Sequence, residues 1–187
     1  MKRFVFLIAI IGCVAVFIYG HGKVIAAQRE KNNRGSFREK QYRDVMVTEV
    51  ITGDTLRLET GDLVRLIGVD TPEAHKSSKQ HRDARITGIP IAVLEVMANE
   101  AANFTKQLVK GKTVAVEFDT QRTDNYGVLV GYVFVVEEDL FVNAEIIKKG
   151  YTSYVDTTPN KRYDTLFRKL HKQTQKKVTG LWRRWMR

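Results

Sequence analysis

Apolar and polar residues alternate with a two-residue period in several short segments, which is the pattern of half-buried β-strands. Turn sequences with glycine, aspartate or proline separate these segments, and proline cannot continue a strand because it has no N–H to donate. The alternation predicts five strands, at Asp44–Ile51, Thr55–Thr60, Leu63–Val69, Lys112–Phe118 and Val128–Val136.

Three other segments repeat their apolar residues with the spacing of a helix: Ile91–Val109, Leu140–Lys149 and Tyr163–Trp182. The polar and basic stretch 74–88 lacks such a repeat, and we expect it to be a mobile loop. Five strands and three helices in a chain of this length are typical of an α+β domain. The pattern therefore predicts an OB-fold, a five-stranded β-barrel with three helices.

The N-terminus has the pattern of an export element. Lys2 and Arg3 precede an uncharged apolar run of 16 residues, Phe4–Tyr19, and small residues lead up to a possible cleavage after Ala26. The run is long for a signal peptide and short for a membrane span, so residues 1–26 are predicted to be either a signal peptide or a membrane anchor. We expect a basic linker at 27–42, a folded domain at 43–187, and a secreted or envelope-anchored protein.

Cysteine and histidine usage excludes several kinds of site. The single cysteine, Cys13, lies in the leader, so neither a disulfide scaffold nor a cysteine-based metal site is possible. The four histidines are scattered and form no HxxxH pair. A domain without cysteine suits folding outside the cytoplasm, where thiols oxidise.

Charge is distributed unevenly along the chain. Residues 1–40 carry a net charge of +6 and residues 161–187 carry +9, whereas residues 41–160 carry −5. Basic ends are typical of a protein that meets a polyanion. The acidic middle would need a cation to approach the same partner.

Three carboxylates fall at turns or strand ends of the predicted barrel. Asp54 lies in the first turn, Asp70 and Glu73 follow the third strand, and Arg65 lies on that strand. Each alone is ordinary for a turn, but the hairpin folds Asp54 back beside Asp70, and converging carboxylates repel unless a cation separates them. Oxygen ligands select a hard ion such as Ca²⁺ or Mg²⁺. Together with a guanidinium, these groups are what a phosphodiester hydrolase requires.

The order of several motifs resembles the staphylococcal nuclease (thermonuclease) family. The resemblance extends over roughly residues 43–185 and rests on VITGDTLRL at Val50–Leu58, VRLIGVDTPE at Val64–Glu73, EAANFTKQLV at Glu100–Val109, VEFDTQRTDNYG at Val116–Gly127, VNAEIIKKGY at Val142–Tyr151 and GLW at Gly180–Trp182. It implies an OB-fold with three helices. It also implies Ca²⁺-dependent cleavage of DNA and RNA that leaves 3′-phosphate ends.

The resemblance also implies roles for individual residues. The calcium ligands would be the carboxylates of Asp54 and Asp70 and the main-chain carbonyl of Thr71. Glu73 would be the general base or the residue that orients the attacking water, and Arg65 would bind phosphate. Tyr126 would lie near the bound nucleotide, or alternatively would only pack beside the turn that follows it.

The chain departs from the family pattern at three places. Val128 stands where the family has a second catalytic arginine, and Thr52 stands where it often has a further aspartate. The loop after Glu73 is about a dozen residues longer than in the type member, and its basic residues are Lys76, Lys79, His81, Arg82 and Arg85. We expect Arg82 or Arg85 to compensate for the missing arginine.

The sequence therefore predicts a monomeric, exported Ca²⁺-dependent nuclease that cleaves DNA, RNA or both with little sequence preference. The missing arginine leaves an alternative, a catalytically weakened or inactive nucleic-acid-binding OB-fold module. A further alternative is an envelope protein whose basic ends bind anionic lipid or wall polymer.

Overall fold

Six β-strands form the sheet of the computed structural model, which describes residues 42–181 apart from 154, 178 and 179. The strands are β1 (Val45–Thr52), β2 (Thr55–Leu58), β3 (Leu63–Leu66), β4 (Thr113–Glu117), β5 (Leu129–Val135) and β6 (Leu140–Phe141). The predicted leader 1–26, with its apolar run 4–19, lies outside the described residues. No helix among those residues is long and apolar enough to cross a bilayer.

Four helices accompany the strands: α1 (Ser78–Thr87), α2 (Ile91–Val109), α3 (Val142–Lys149) and α4 (Asp164–Lys177). Helices α2, α3 and α4 correspond to the three that the periodicity predicts. Helix α1 corrects the expectation of a mobile loop at 74–88. Only Gln80 of α1 is buried, so apolar periodicity could not reveal the helix.

The sheet closes into a barrel. Its strand order is β3-β2-β1-β4-β5-β6, and β3 also pairs in parallel with β5, through Leu66 and Gly131 among others. A Cβ on Gly131 would lie 2.5 Å from Val116 Cγ1, so only glycine allows β4 and β5 to pack this closely here. The predicted five-stranded barrel is thus present, with β6 as a short addition to β5.

Alternation along the strands fills the barrel with apolar side chains. In β2, β3 and β4 every second residue is buried, as a strand with one face toward a core requires. These side chains meet the buried residues of α3 and Phe167 of α4 in one core. Leu94 and Met97 of α2 form a smaller cluster with Leu181.

Asn143, at the start of α3, is a buried polar link between the barrel and the helices. Its side-chain oxygen accepts a hydrogen bond from Val133 N at 2.9 Å, and its amide donates to Ile67 O at 2.9 Å and Gly131 O at 3.2 Å. One side chain therefore satisfies polar groups of β5 and of the segment after β3. Because this segment leads to Asp70, the link also fixes where that carboxylate lies.

We expect Asn143→Ala to lower the free energy of unfolding by about 3 kcal/mol, because buried main-chain groups lose their partners. Urea unfolding measures the loss. Glu145→Ala on the same helix is the control, since its exposed ion pair with Lys148 contributes little. Equal stability of the two variants would contradict the role given to Asn143.

Candidate active site

Asp54 lies in the turn between β1 and β2, and its carboxylate accepts three hydrogen bonds. Its Oδ1 accepts from the hydroxyls of Thr52 at 2.6 Å and Thr55 at 3.0 Å, and its Oδ2 accepts from Thr71 N at 3.0 Å. Asp54 as a whole is only 6% exposed. Thr52 thus occupies the position where the resemblance leads one to expect another aspartate. Its uncharged hydroxyl orients the Asp54 carboxylate by donating a hydrogen bond to it.

The turn that carries Asp54 is pressed against helix α2. Thr105 donates a 2.7 Å hydrogen bond to Gly53 O. A Cβ on Gly53 would lie 2.8 Å from Thr71 Cγ2 and 2.9 Å from Ala101 Cβ. Glycine before Asp54 therefore permits close contact among the turn, α2 and the segment of Thr71.

Asp70 is held by its main chain rather than by its carboxylate. Its N–H donates to Thr152 Oγ1 at 2.9 Å, and its carbonyl accepts from Ser153 N at 2.8 Å. The chain reaches Asp70 through Gly68, which has φ +78 and would, with a Cβ, clash with the Phe167 ring. The side chain of Asp70 remains available to charged neighbours.

Helix α1 brings Lys79 to these carboxylates. The helix begins after Ser77, whose hydroxyl accepts from Gln80 N at 3.0 Å, and it ends at Gly88 with φ +71. Gln80 is buried and donates from Nε2 to Glu73 O at 3.1 Å. These contacts fix Lys79 on the side of the helix that faces Asp70.

The Lys79 ammonium lies among three oxygens. It donates to Asp83 Oδ2 at 2.6 Å and to Thr71 O at 3.0 Å, and its Nζ is 3.4 Å from Asp70 Oδ1. The side chain is 13% exposed. The sequence places Lys79 only among several loop cations. Its spacing from Asp83, one helical turn, indicates that ion pair once the segment is known to be a helix, but does not indicate the contact with Asp70.

Burial and the neighbouring charges shift the pKa values of both Asp70 and Lys79. Burial raises the pKa of Asp70; Lys79 lowers it, and the nearby carboxylates of Asp54 and Asp83 raise it further, so the net direction is upward. Burial lowers the pKa of Lys79, but Asp70, Asp83 and Asp54 together outweigh burial and raise it. An ammonium in an ordinary ion pair would lower the pKa of its partner. For Asp70, burial together with the neighbouring carboxylates outweighs the effect of the ammonium.

Arg65, on β3, points toward the same cluster and a neighbouring cleft. Its Nη2 lies 3.8 Å from Asp70 Oδ1, and its side chain is 41% exposed. The cleft, of about 360 Å³, is bordered by Arg65 and Asp70, by Gln121 and Asp124, and by the segment that contains Asn160. A guanidinium at the edge of an open cleft can bind an anionic group that enters it.

The turn after Asp124 presents Tyr126 to solvent. Asp124 Oδ1 accepts from Tyr126 N at 2.9 Å and from Val128 N at 3.0 Å, which fixes the turn. The Tyr126 side chain is 90% exposed. Its ring is therefore accessible to a ligand, and contact with a bound nucleotide stays a prediction.

Glu73 follows Asp70 by three residues and is half-buried. Its main-chain carbonyl is held by Gln80, whereas its carboxylate receives no hydrogen bond or ion pair from the residues that the structure describes. An unpaired carboxylate of this kind is able to accept a proton.

Arg82 and Arg85 lie on α1 and are exposed. Arg82 Nη2 is 3.5 Å from Asp83 Oδ1. The extra segment thus does bring a cation to the acidic cluster, but in the structure the one that contacts Asp70 and Thr71 is Lys79.

Comparison with known proteins shows the family of the chain. Residues 63–184 match the family model described as staphylococcal nuclease homologue. This chain belongs to the staphylococcal nuclease family. It is 30% identical over 180 residues to a thermonuclease of Staphylococcus intermedius, covering 95% of this chain and 93% of that protein. A thermonuclease of Staphylococcus hyicus is 30% identical over 139 residues, covering 73% of each chain. An uncharacterized protein of Methanocaldococcus jannaschii is 31% identical over 147 residues, covering 73% of this chain and 70% of that protein.

The donor set fits a hard cation such as the calcium ion expected in this family. Thr71 O and Asp70 Oδ1 already hold one cation, the Lys79 ammonium, and oxygen atoms are the ligands that Ca²⁺ takes. Asp54, hydrogen-bonded to Thr71 N, is the remaining expected ligand. In the described part of the chain, no group of three or more histidine, cysteine or acidic side chains is arranged to hold a metal ion, so the expected ligands are two carboxylates and a main-chain carbonyl.

In the presence of a chelator we expect Asp54→Ala to lower the free energy of unfolding by about 2 kcal/mol, because the buried Thr71 N–H loses its acceptor. Asp70→Asn should cost less than about 1 kcal/mol, since burial and like charges already disfavour the charged form there. Urea unfolding of both variants checks this order. A larger loss for Asp70→Asn would contradict it.

Proposed function

We propose that the protein is an exported Ca²⁺-dependent nuclease that hydrolyses phosphodiester bonds of DNA, RNA or both with little sequence preference and leaves 3′-phosphate ends. The observation that carries the proposal is that oxygens of Asp70 and Thr71 hold a cation, the Lys79 ammonium. They do so beside the Arg65 guanidinium, at the edge of an open cleft. Membership of the staphylococcal nuclease family supports the same reaction class. We propose Ca²⁺ as cofactor, with Asp54, Asp70 and Thr71 O as its ligands.

The chemistry divides among a few residues. Arg65 binds oxygens of the scissile phosphate with its fork of N–H donors and stabilises the charge that builds up on them. Glu73 orients a water and accepts its proton as the water oxygen attacks phosphorus in line. The bond from phosphorus to the 5′ oxygen breaks, and the leaving oxygen takes a proton from solvent water, which leaves a 3′-phosphate and a 5′-hydroxyl. Bound calcium supplies Lewis-acid stabilisation of the phosphate charge.

Substrate contact outside the reacting phosphate would come from Tyr126, whose exposed ring can stack on a base. Stacking tolerates any sequence, which fits a nuclease with little preference. The leader, proposed as signal peptide or anchor, would place the domain outside the cell, secreted or attached to the envelope. The domain is proposed to act as a monomer.

Cleavage of supercoiled plasmid and of RNA, with calcium and with a chelator control, tests the proposal. We expect calcium-dependent cleavage whose products accept a new 5′ phosphate from a polynucleotide kinase without prior phosphatase treatment. Arg65→Ala should lower kcat/KM by about 10²–10³, as loss of one preorganised donor does. Arg57→Ala is the matched control, because Arg57 on β2 pairs with Glu49 and is not among the residues that border this cleft. Equal loss in both variants would count against the role of Arg65.

A second candidate function, a nucleic-acid-binding module with little or no activity, is favoured by Val128, which cannot donate a hydrogen bond to phosphate. Val128 lies two residues before Val130, which borders the cleft, so a long side chain there could reach the substrate. The proposal that helix α1 compensates through Arg82 or Arg85 distinguishes the two candidates.

If α1 supplies the second cation, Arg82→Ala or Arg85→Ala lowers cleavage about tenfold or more, and Val128→Arg raises it only modestly. If activity is barely detectable, Val128→Arg raises it by about 10², and the α1 variants change nothing, the binding module is the correct function. Initial rates on one labelled substrate, with binding affinity measured in parallel, decide between these patterns.

A further inference from the structure

The Lys79 ammonium occupies a position with the features of a cation site. Three oxygens from two segments surround it: Asp70 Oδ1 and Thr71 O from the segment after β3, and Asp83 Oδ2 from α1. An ammonium has three N–H donors, so the number of oxygens matches its capacity. The side chain is largely withdrawn from solvent. Its ion pairs are therefore more than the loose surface pairs that contribute little.

Two of these oxygens are the ones proposed to hold calcium. Asp70 Oδ1 and Thr71 O cannot hold the ammonium and a divalent ion together, because two cations a few ångströms apart repel each other strongly in a partly buried site. Binding of the ion would thus require the Lys79 ammonium to move away from Asp70 Oδ1 and Thr71 O.

The structure allows Lys79 to leave without unfolding the barrel. Lysine carries its charge on a flexible four-carbon chain. Asp83 is the partner at the shortest distance from the ammonium and lies one turn further along the same helix. The ammonium can therefore stay paired with Asp83 as it moves toward solvent. Helix α1 keeps its anchor, because that anchor is Gln80 and not Lys79.

We propose that Lys79 is an internal counter-cation that occupies the carboxylate site of the metal-free protein, competes with a divalent ion and so sets the affinity for it. The inference rests on the proposed function, since it assumes that the same oxygens bind calcium. Lys79 is then a determinant of metal affinity built into the extra helix α1. The metal-free protein keeps its carboxylates compensated.

Lysine labelling of the unmodified protein tests displacement directly. A small acylating reagent is applied with chelator and with calcium, and mass spectrometry measures the modification of each lysine. We expect Lys79 to be protected without metal and at least threefold more reactive with calcium. Lys76, which is exposed in the same segment, is the internal control and should not change. Unchanged reactivity of Lys79 overturns the proposal.

Calorimetric titration with calcium tests competition. Lys79→Gln should bind calcium about tenfold more tightly than the unmodified protein, whereas Lys76→Gln should not differ from it. Without metal, Lys79→Gln should have the lower Tm, and calcium should raise its Tm more than that of the unmodified protein, because the ion replaces the lost charge. If Lys79→Gln does not fold without metal, Lys79→Gln combined with Asp83→Asn removes both charges and serves instead.

Failure of this proposal is distinguishable from failure of the proposed function. Calcium-dependent cleavage together with unchanged calcium affinity in Lys79→Gln overturns the competition and leaves the nuclease intact. Tighter calcium binding in Lys79→Gln without cleavage by any variant supports the competition and overturns the nuclease. Absence of calcium binding in every variant overturns both.

Discussion

The carboxylates of Asp54 and Asp70 can lie near one another only because hydrogen-bond donors and positive charge surround them. Two threonine hydroxyls and a main-chain N–H bind Asp54. Lys79 and Arg65 lie beside Asp70. Every further feature of the site depends on this compensation, since without it the turn after β1 and the segment after β3 would repel each other. Among the described residues, the cation held between the oxygens of Asp70 and Thr71 is the Lys79 ammonium.

A rigid frame holds this cluster in place. The parallel pairing of β3 with β5 and the hydrogen bonds of Asn143 fix the segment that leads to Asp70. Thr105 and Ala101 on α2 fix the turn of Asp54 from the other side. Functional groups carried on packed strands and helices keep their geometry better than groups on free loops. Helix α1 is the exception, because it is polar and is attached to the frame largely through Gln80.

The sequence predicted those strands and helices in which burial of one face requires apolar residues at a regular spacing. Alternating residues located all five long strands, and the helical repeat located α2, α3 and α4, since each buries an apolar face. The turn positions of Asp54 and Asp70, with Arg65 between them, also followed from the hairpin. Helix α1 was missed because it buries little, although Ser77 and Gly88 mark its ends. The role of Lys79 was out of reach, since it depends on how a polar helix docks on the barrel.

Closure of the barrel has a consequence for the kind of partner that the domain can accept. Within the described residues, each of the five long strands pairs with a strand on both sides. Little continuous main-chain edge remains on them for an incoming extended peptide, because only the part of β1 beyond Met46 has no partner in β4. Ligands must instead meet side chains and turns.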